Sequence, residues 1–340
     1  MSAAELLIVG VPGPDLDDDS AQLLRTVRPG GVILFRRNVD TVERLRELVA
    51  AIRRAAPGTI LYSDSEGGRV DRLAGVVGGA PSAAELAKRS SQDIEITGFW
   101  VGQSLRQFDL DVDLAPVVDL DRGIAGNALD GRCLGASKET VTLRGKAFLA
   151  GLHRAGIGGC LKHFPGLGGA RGDTHFDTGL VDLTKLDLAQ DLVPFVALGE
   201  RAGALLINHA VYPALDGAEK PASLSRGIAT GLLREKLGYT GLLIADDLEM
   251  HALAPHGDLT ARAAAALAAG CDLLPICHSL AETPRIVAGL SGAKLAARVR
   301  EARTRLAAYR GHLEVLRAGR GGRAPSLETV RRRIAKMAAG

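Results

Sequence analysis

Short runs of Val, Ile and Leu recur along this chain between longer segments in which apolar positions return every three or four residues. The first pattern is that of strands buried on both faces, and the second is that of helices with one face against a core. The apolar runs predict strands over residues 6–11, 31–35, 59–63, 112–118, 157–162, 204–209, 241–246 and 271–277. Between and after them the periodic segments predict helices over 41–55, 83–107, 138–155, 192–202, 228–237, 259–269 and 294–309, with a shorter one over 20–27 and an irregular stretch over 65–82. Strands alternating with helices in this number predict an α/β fold, a single closed (β/α)8 TIM barrel. An open doubly wound sheet is the competing arrangement, but it usually carries a nucleotide-type glycine loop near its start. Gly10-Val11-Pro12-Gly13 does not have that GxGxxG spacing.

A closed barrel gathers its reacting groups where strands end. Asp64, Glu66, Gly67, Gly68 and Arg69 follow the third apolar run, Asp119 and Asp121 the fourth, His163 the fifth, His209 the sixth, and Asp246 with Asp247 the seventh. A single such residue is an ordinary solvated loop charge. Repetition at consecutive strand ends predicts a site.

The densest chemistry lies in KHFPGLGGARGDTHFDT, residues 162–178, where Pro165, Gly166, Gly168, Gly169 and Gly172 exclude a helix and make a long loop. Asp173, His175 and Asp177 are spaced by two, so on extended backbone they project to one side. A carboxylate beside a histidine holds one tautomer and stabilises the protonated ring, which suits a proton donor to a leaving group. Two reaction classes fit these residues. One is attack by a carboxylate on a sugar acetal with a second group protonating the departing oxygen. The other is metal-assisted hydrolysis using His163, His175, His209, Asp173, Asp177, Asp246 and Asp247, against which stand the cations Lys162 and Arg132 and the lack of an HxH or HExxH pair. A non-catalytic sugar-binding barrel is a third reading.

Composition narrows the partners. The formal charge of +3 on 340 residues and an aromatic content of 4% give little support to nucleic-acid binding. Cys133, Cys160, Cys271 and Cys277 are scattered in or beside apolar runs, as buried thiols of a reducing compartment are. The N-terminus has no basic region before its short apolar run, so neither a secretory signal nor a membrane span is expected, and the cytoplasm is the expected location.

The runs YSDSEGGRVDRL (62–73), KHFPGLGGARGDTHFDT (162–178) and IADDLEM (244–250) together resemble the glycoside hydrolase family 3 β-N-acetylglucosaminidases of the peptidoglycan-recycling, NagZ type. The resemblance spans roughly residues 5–310. It implies a single (β/α)8 catalytic domain over 1–315, removal of a terminal non-reducing N-acetylglucosamine with retention of configuration, no cofactor and no metal. It implies Asp246 as nucleophile, His175 as general acid/base and Asp173 as its partner in an Asp-His dyad. Asp64, Arg72, Arg132, Lys162, His163 and His209 match sugar-contacting positions, and Asp247 a neighbouring structural acid. On this reading Lys162 or Arg132 near Asp246 would favour its ionised form, and an imidazole titrating near neutrality would serve both the protonating and the deprotonating step. A family 3 phosphorylase and a β-glucosidase-type hydrolase are the alternatives. The chain departs from the family pattern at Leu167, where KHFPGHG has a histidine, at Ser65 in DSEGG, at Cys133 and Leu134 in RCLG, and at Asn208 before His209. These departures predict altered loop packing or leaving-group preference. The expected partner is a small N-acetylglucosamine-containing glycoside, with no nucleic acid or membrane and a monomeric chain. Residues 316–340, rich in arginine, are expected to form a basic tail or short helix beyond the barrel.

Overall fold

The computed structural model of the chain describes residues 2–124, 126–171, 179–216 and 220–339. Eight parallel strand positions close a barrel: Leu7–Gly10, Gly31–Leu34, Ile60–Ser63, Val112–Asp113, Gly158–Gly159 continued by Leu161–Phe164, Ala204–Ile207, Leu242–Ala245 and Leu274–Ile276. Each pairs with the next, as in Ile33 opposite Tyr62, Tyr62 opposite Val112, Leu205 opposite Leu161 and Leu206 opposite Ile244. The ring shuts where Ile244 bridges Leu273 and where Val9 of the first strand pairs with Ile276 of the last.

Alternation along the strands divides the core in two. Ile8, Ile33, Tyr62, Val112, Cys160, Leu206 and Ile244 fill the barrel interior, whereas Leu7, Val32, Leu61, Leu161, Leu205, Leu243 and Leu274 face the surrounding helices. The apolar runs are continuous because both faces are covered. The predicted fourth strand is cut short: beyond Asp113 it meets the fifth through the Cys160 N–H to the Ala115 carbonyl (2.9 Å) and a bridge between Val117 and Lys162. Pro116 has no N–H to give the ladder.

Helix ends follow local chemistry. The predicted helix over 83–107 is two, Ala83–Leu86 and Ser91–Arg106, because the Ser90 hydroxyl accepts from the Asp93 N–H and starts a new helix. The helix predicted over 192–202 begins earlier, at Lys185, where Thr184 caps it, and the one over 228–237 is a π-helix, Gly227–Lys236.

The C-terminal residues are docked on the barrel. Helix Ala296–Gly319 runs past the boundary expected after residue 315. Its Leu306, Tyr309 and Leu313 close the barrel interior from the N-terminal end of the strands. Helix Leu327–Ala338 buries Val330 and Ile334 completely. It is tied down by Arg331 Nε to the Val76 carbonyl (2.9 Å), by Arg89 Nη1 to the Met337 carbonyl (2.7 Å) and by the Arg333 guanidinium over the Trp100 ring (5.6 Å). Its arginines therefore sit on the outer face of an amphipathic helix, not on a free tail. Among the described residues, no helix is long and apolar enough to cross a membrane.

Candidate active site

A cavity of about 390 Å³ opens at the C-terminal ends of the strands. Ile8, Ile33, Leu206 and Ile244 make its floor, and Asp64, Arg72, Arg132, Lys162, His163, Asp246 and Asp247 line its walls. Residues from the third, fourth, fifth and seventh strand ends thus meet in one place.

The third strand delivers Asp64. A tight hairpin, Ser65–Gly67 with Val70–Asp71, then turns the chain back so that Arg72 donates its N–H to the Asp64 carbonyl (3.0 Å) and its Nη2 to Asp64 Oδ2 (3.2 Å). The turn needs glycine at Gly67, where φ is +89° and a Cβ would lie 2.1 Å from the Pro81 carbonyl oxygen. The fifth strand places Lys162 in the wall, 3% exposed, with Nζ 2.7 Å from Asp64 Oδ1 and 2.6 Å from Glu66 Oε1. Arg132 grips Glu66 with two parallel bonds, Nε to Oε2 at 2.8 Å and Nη2 to Oε1 at 2.7 Å. Cations and carboxylates therefore alternate from Arg72 through Asp64, Lys162 and Glu66 to Arg132.

Burial by itself would raise the Asp64 and Glu66 pKa values, but the adjacent cations outweigh it. Lys162 and Arg72 hold Asp64 well below the usual carboxylate range, and Lys162 with Arg132 brings Glu66 down to about 2. The same carboxylates outweigh burial at Lys162 and raise its pKa. The wall is thus a fixed lattice of charged donors and acceptors, suited to sugar hydroxyls.

His163 joins the lattice through the buried Asp119. Its Nδ1 lies 2.7 Å from Asp119 Oδ2, which also accepts the His163 backbone N–H at 3.0 Å. The ring's Nε2 faces Arg132 Nη2 at 3.3 Å. A guanidinium only donates, so Nε2 accepts and the proton sits on Nδ1. Leu167, at the family's histidine position, lines the cavity while its N–H donates to Asp119 Oδ1 (2.7 Å).

On the opposite side Asp246 continues the seventh strand, its N–H bonded to the Ile207 carbonyl (2.9 Å). Its Oδ1 accepts the Asp247 N–H at 2.9 Å, which fixes the carboxylate's orientation. Lys162 and Arg132 line the same cavity but are engaged elsewhere, Lys162 with Asp64 and Glu66 and Arg132 with Glu66, and among the described residues Asp246 forms no ion pair.

Asp247 differs. Burial first, and then the charges of Glu249 and Asp246, push its carboxyl up to about 7. A native pKa raised above 3.8 means that the folded chain holds the proton longer than the unfolded one, so this group makes folding less favourable as pH rises from about 4 to about 7. Asp247→Asn keeps the oxygen that accepts the Glu249 N–H (3.1 Å) and removes the titration. The variant is expected to gain about 2–4 kcal/mol on the wild type between pH 4 and pH 8, read as a difference in melting temperature that widens with pH. A constant difference would overturn the assignment.

The expected sugar contact His209 is not in the cavity. It is fully buried behind the seventh-strand end, with Nε2 2.9 Å from the Asp247 carbonyl and Nδ1 2.7 Å from Ser223 Oγ. A carbonyl only accepts, so Nε2 carries the proton and Nδ1 accepts from the serine. Burial lowers its pKa, and the neutral ring props the Asp246-Asp247 turn from behind. Asp173, His175 and Asp177 lie outside the described residues. Glu66 and Asp119 stood in the strand-end pattern, but nothing in the linear order marked them as the anchors of Arg132, Lys162 and His163. Phe35, Met250, Cys277 and His278 also line the cavity and carried no sequence signal. Among the described residues, no group of three or more His, Cys, Asp or Glu side chains is arranged to hold a metal ion.

This architecture has known relatives. A β-hexosaminidase of Tolumonas auensis is 36% identical over 291 residues, 84% of this chain and 86% of that protein. One of Pseudomonas aeruginosa is 34% identical over 293 residues, 85% of this chain and 87% of that protein. Among solved structures, NagZ of Neisseria gonorrhoeae in complex with N-trifluoroacetyl-D-glucosamine superposes with a TM-score of 0.78 at 27% identity and 98% coverage of both chains. A family 3 glycosyl hydrolase of Mycobacterium smegmatis gives 0.81 at 31% identity, covering 90% of this chain and 94% of that one. The model of the glycosyl hydrolase family 3 N-terminal domain matches residues 2–308. With a closed barrel, a charged sugar-sized cavity at its strand ends and a match along nearly its whole length, the chain belongs to glycosyl hydrolase family 3 and is a glycoside hydrolase.

Proposed function

We propose that the protein is a retaining exo-β-N-acetylglucosaminidase acting on cell-wall muropeptides or related chito-fragments, as a cytoplasmic monomer without cofactor. The observation that supports it most is the meeting, in one cavity, of the Asp246 carboxylate, which forms no ion pair among the described residues, with the Asp64, Lys162 and Arg132 lattice. The names borne by the relatives, β-hexosaminidase and NagZ, support the choice of sugar. In this reading the lattice holds the hydroxyls of the terminal ring and Asp246 forms a covalent bond to its anomeric carbon, while His175, oriented by Asp173, gives a proton to the departing oxygen. The neutral imidazole then takes a proton from water, which attacks the same carbon and releases Asp246. The proton returns to His175 and the configuration is retained.

The test is hydrolysis of aryl glycosides. Cleavage of the 2-acetamido substrate with retention at C1, unaffected by chelator, is the expected result. Faster cleavage of glucosides would overturn the sugar assignment, and accumulation of sugar 1-phosphate on addition of phosphate would make the enzyme a phosphorylase. His175→Ala is expected to lower kcat by about 10²–10⁴-fold on poor leaving groups and far less on 4-nitrophenolate, which departs without a proton. Equal losses on both would exclude His175 as the acid.

A further inference from the structure

The cavity has a second wall, on the side of the second and eighth strands, which meets the charged lattice where the Arg72 guanidinium lies 5.8 Å from the Phe35 ring centroid. Phe35 ends the second strand and His278 follows the eighth, and both line the cavity. Their rings stack with centroids 6.0 Å apart and planes 18° from parallel. The Arg37 guanidinium backs the pair, 4.6 Å from the Phe35 centroid, and is anchored to the Val11 carbonyl (3.0 Å) and the Cys277 carbonyl.

The His278 side chain is 62% exposed, yet its backbone is clamped. The Glu249 carboxylate accepts the N–H groups of His278 (2.5 Å) and Ser279 (3.1 Å). The ring is oriented too. Arg37 Nη1 lies 3.3 Å from His278 Nδ1, so Nδ1 must accept and the neutral ring carries its proton on Nε2. That N–H is directed towards Asp247 Oδ2 but stops at 3.8 Å, beyond hydrogen-bond range. An exposed side chain on so firmly held a backbone, with a donor that meets no hydrogen-bond acceptor among the described residues, is a contact surface for an oxygen.

We propose that Phe35 and His278, backed by Arg37, form the subsite for the leaving group, and that the occupant is a second pyranose ring whose hydroxyl or ring oxygen accepts the His278 Nε2–H. The inference rests on the glycosidase reading above. If the terminal sugar's hydroxyls lie in the lattice at the third to fifth strands and its anomeric carbon meets Asp246 on the seventh, the chain of sugars continues beyond the seventh strand. The eighth and second strands are what it meets there. Phe35 and the imidazole offer flat faces to the C–H groups of a sugar ring, and a single oriented N–H adds register. His278 is then a specificity-determining residue that does nothing for a leaving group too small to reach it.

The experiment compares two substrates of the full chain that differ only beyond the scissile oxygen: chitobiose, whose leaving group is a pyranose, and the methyl glycoside of the same terminal sugar. In His278→Ala the ratio of kcat/KM for the disaccharide to that for the methyl glycoside is expected to fall about tenfold, mainly through KM for the disaccharide. His278→Phe keeps a ring and loses the N–H, and is expected to recover part of the ratio. A ratio within twofold of wild type in His278→Ala, with circular dichroism unchanged, overturns the proposal. Equal losses on both substrates also overturn it, because His278 would then touch the terminal sugar. Failure of the wild type to cleave either acetamido substrate refutes the sugar assignment instead, and the same ratio is then read on cellobiose and methyl β-glucoside.

Discussion

Asp246→Ala is expected to lower kcat by about 10⁴-fold or more with little change in melting temperature, because the side chain's work is chemical. Asp246 lines the cavity and, among the described residues, forms no ion pair and accepts one hydrogen bond, from the Asp247 N–H. Truncation removes that bond at a half-buried rim position and costs about 1 kcal/mol of stability. The adjacent Asp247 is a poor substitute in the proposed covalent step: it has its own Oδ1 bonded to the Glu249 N–H and holds its proton up to about pH 7. Added azide, which is small enough for the space the carboxylate leaves, is expected to restore turnover of an activated aryl glycoside and to give the glycosyl azide of inverted configuration. Asp246→Ala with activity within tenfold of wild type would remove it from the nucleophile's role. The companion substitution Asp247→Asn is expected to lose far less, since Asn keeps the acceptor that shapes the turn.

Lys162→Met is expected to cost about 3–5 kcal/mol of stability, together with most of the activity. Lys162 Nζ sits between Asp64 and Glu66 in a wall where all three side chains are nearly inaccessible to water. Met fills the space and leaves two buried carboxylates facing each other with only Arg72 and Arg132 on their outer sides. The dependence on pH gives the discriminating measurement. In the wild type both carboxyls have depressed pKa values, so their contribution to stability is present above the unfolded value of about 4 and is lost as pH falls towards about 2, where Glu66 titrates. Without the lysine, burial dominates and pulls both pKa values up, so ionising them opposes folding. The difference in melting temperature between wild type and variant should therefore be largest at pH 7, smaller at pH 4 and smallest as pH approaches about 2. A difference independent of pH would mean that the loss is one of packing.

The barrel was readable because its strands are buried on both faces and its helices on one, and each condition leaves its own period in the sequence. The strands were placed to within a few residues except the fourth, where Pro116 interrupts the ladder of the run 112–118. The C-terminal segment was less legible. Arg331, Arg332, Arg333 and Lys336 dominate its composition, but Val330 and Ile334, one helical turn apart, decide its position.

Within the site, Asp64, Arg72, Lys162, His163 and Asp246, all within the three motifs, line one cavity together with Arg132, which the family resemblance alone had singled out. His209, in the strand-end pattern, faces the other way and supports the Asp246-Asp247 turn through a backbone carbonyl. A residue at a strand end has about an even choice between the cavity and the layer behind it, and a twist of the last peptide makes that choice without changing the residue's place in the sequence.

By itself, then, the order of amino acids determined the number of strands, the closure of the barrel and the rim at which charged groups collect. Those are consequences of burial period and of chain direction, which are local. Which carboxylate each cation would neutralise was settled only by the tertiary structure: Lys162 is drawn to Asp64 and Glu66, 98 and 96 positions away, and not into an ion pair with Asp246. Pairing between buried charges depends on distances of 3 Å or so across the barrel mouth, and no spacing along the chain encodes them.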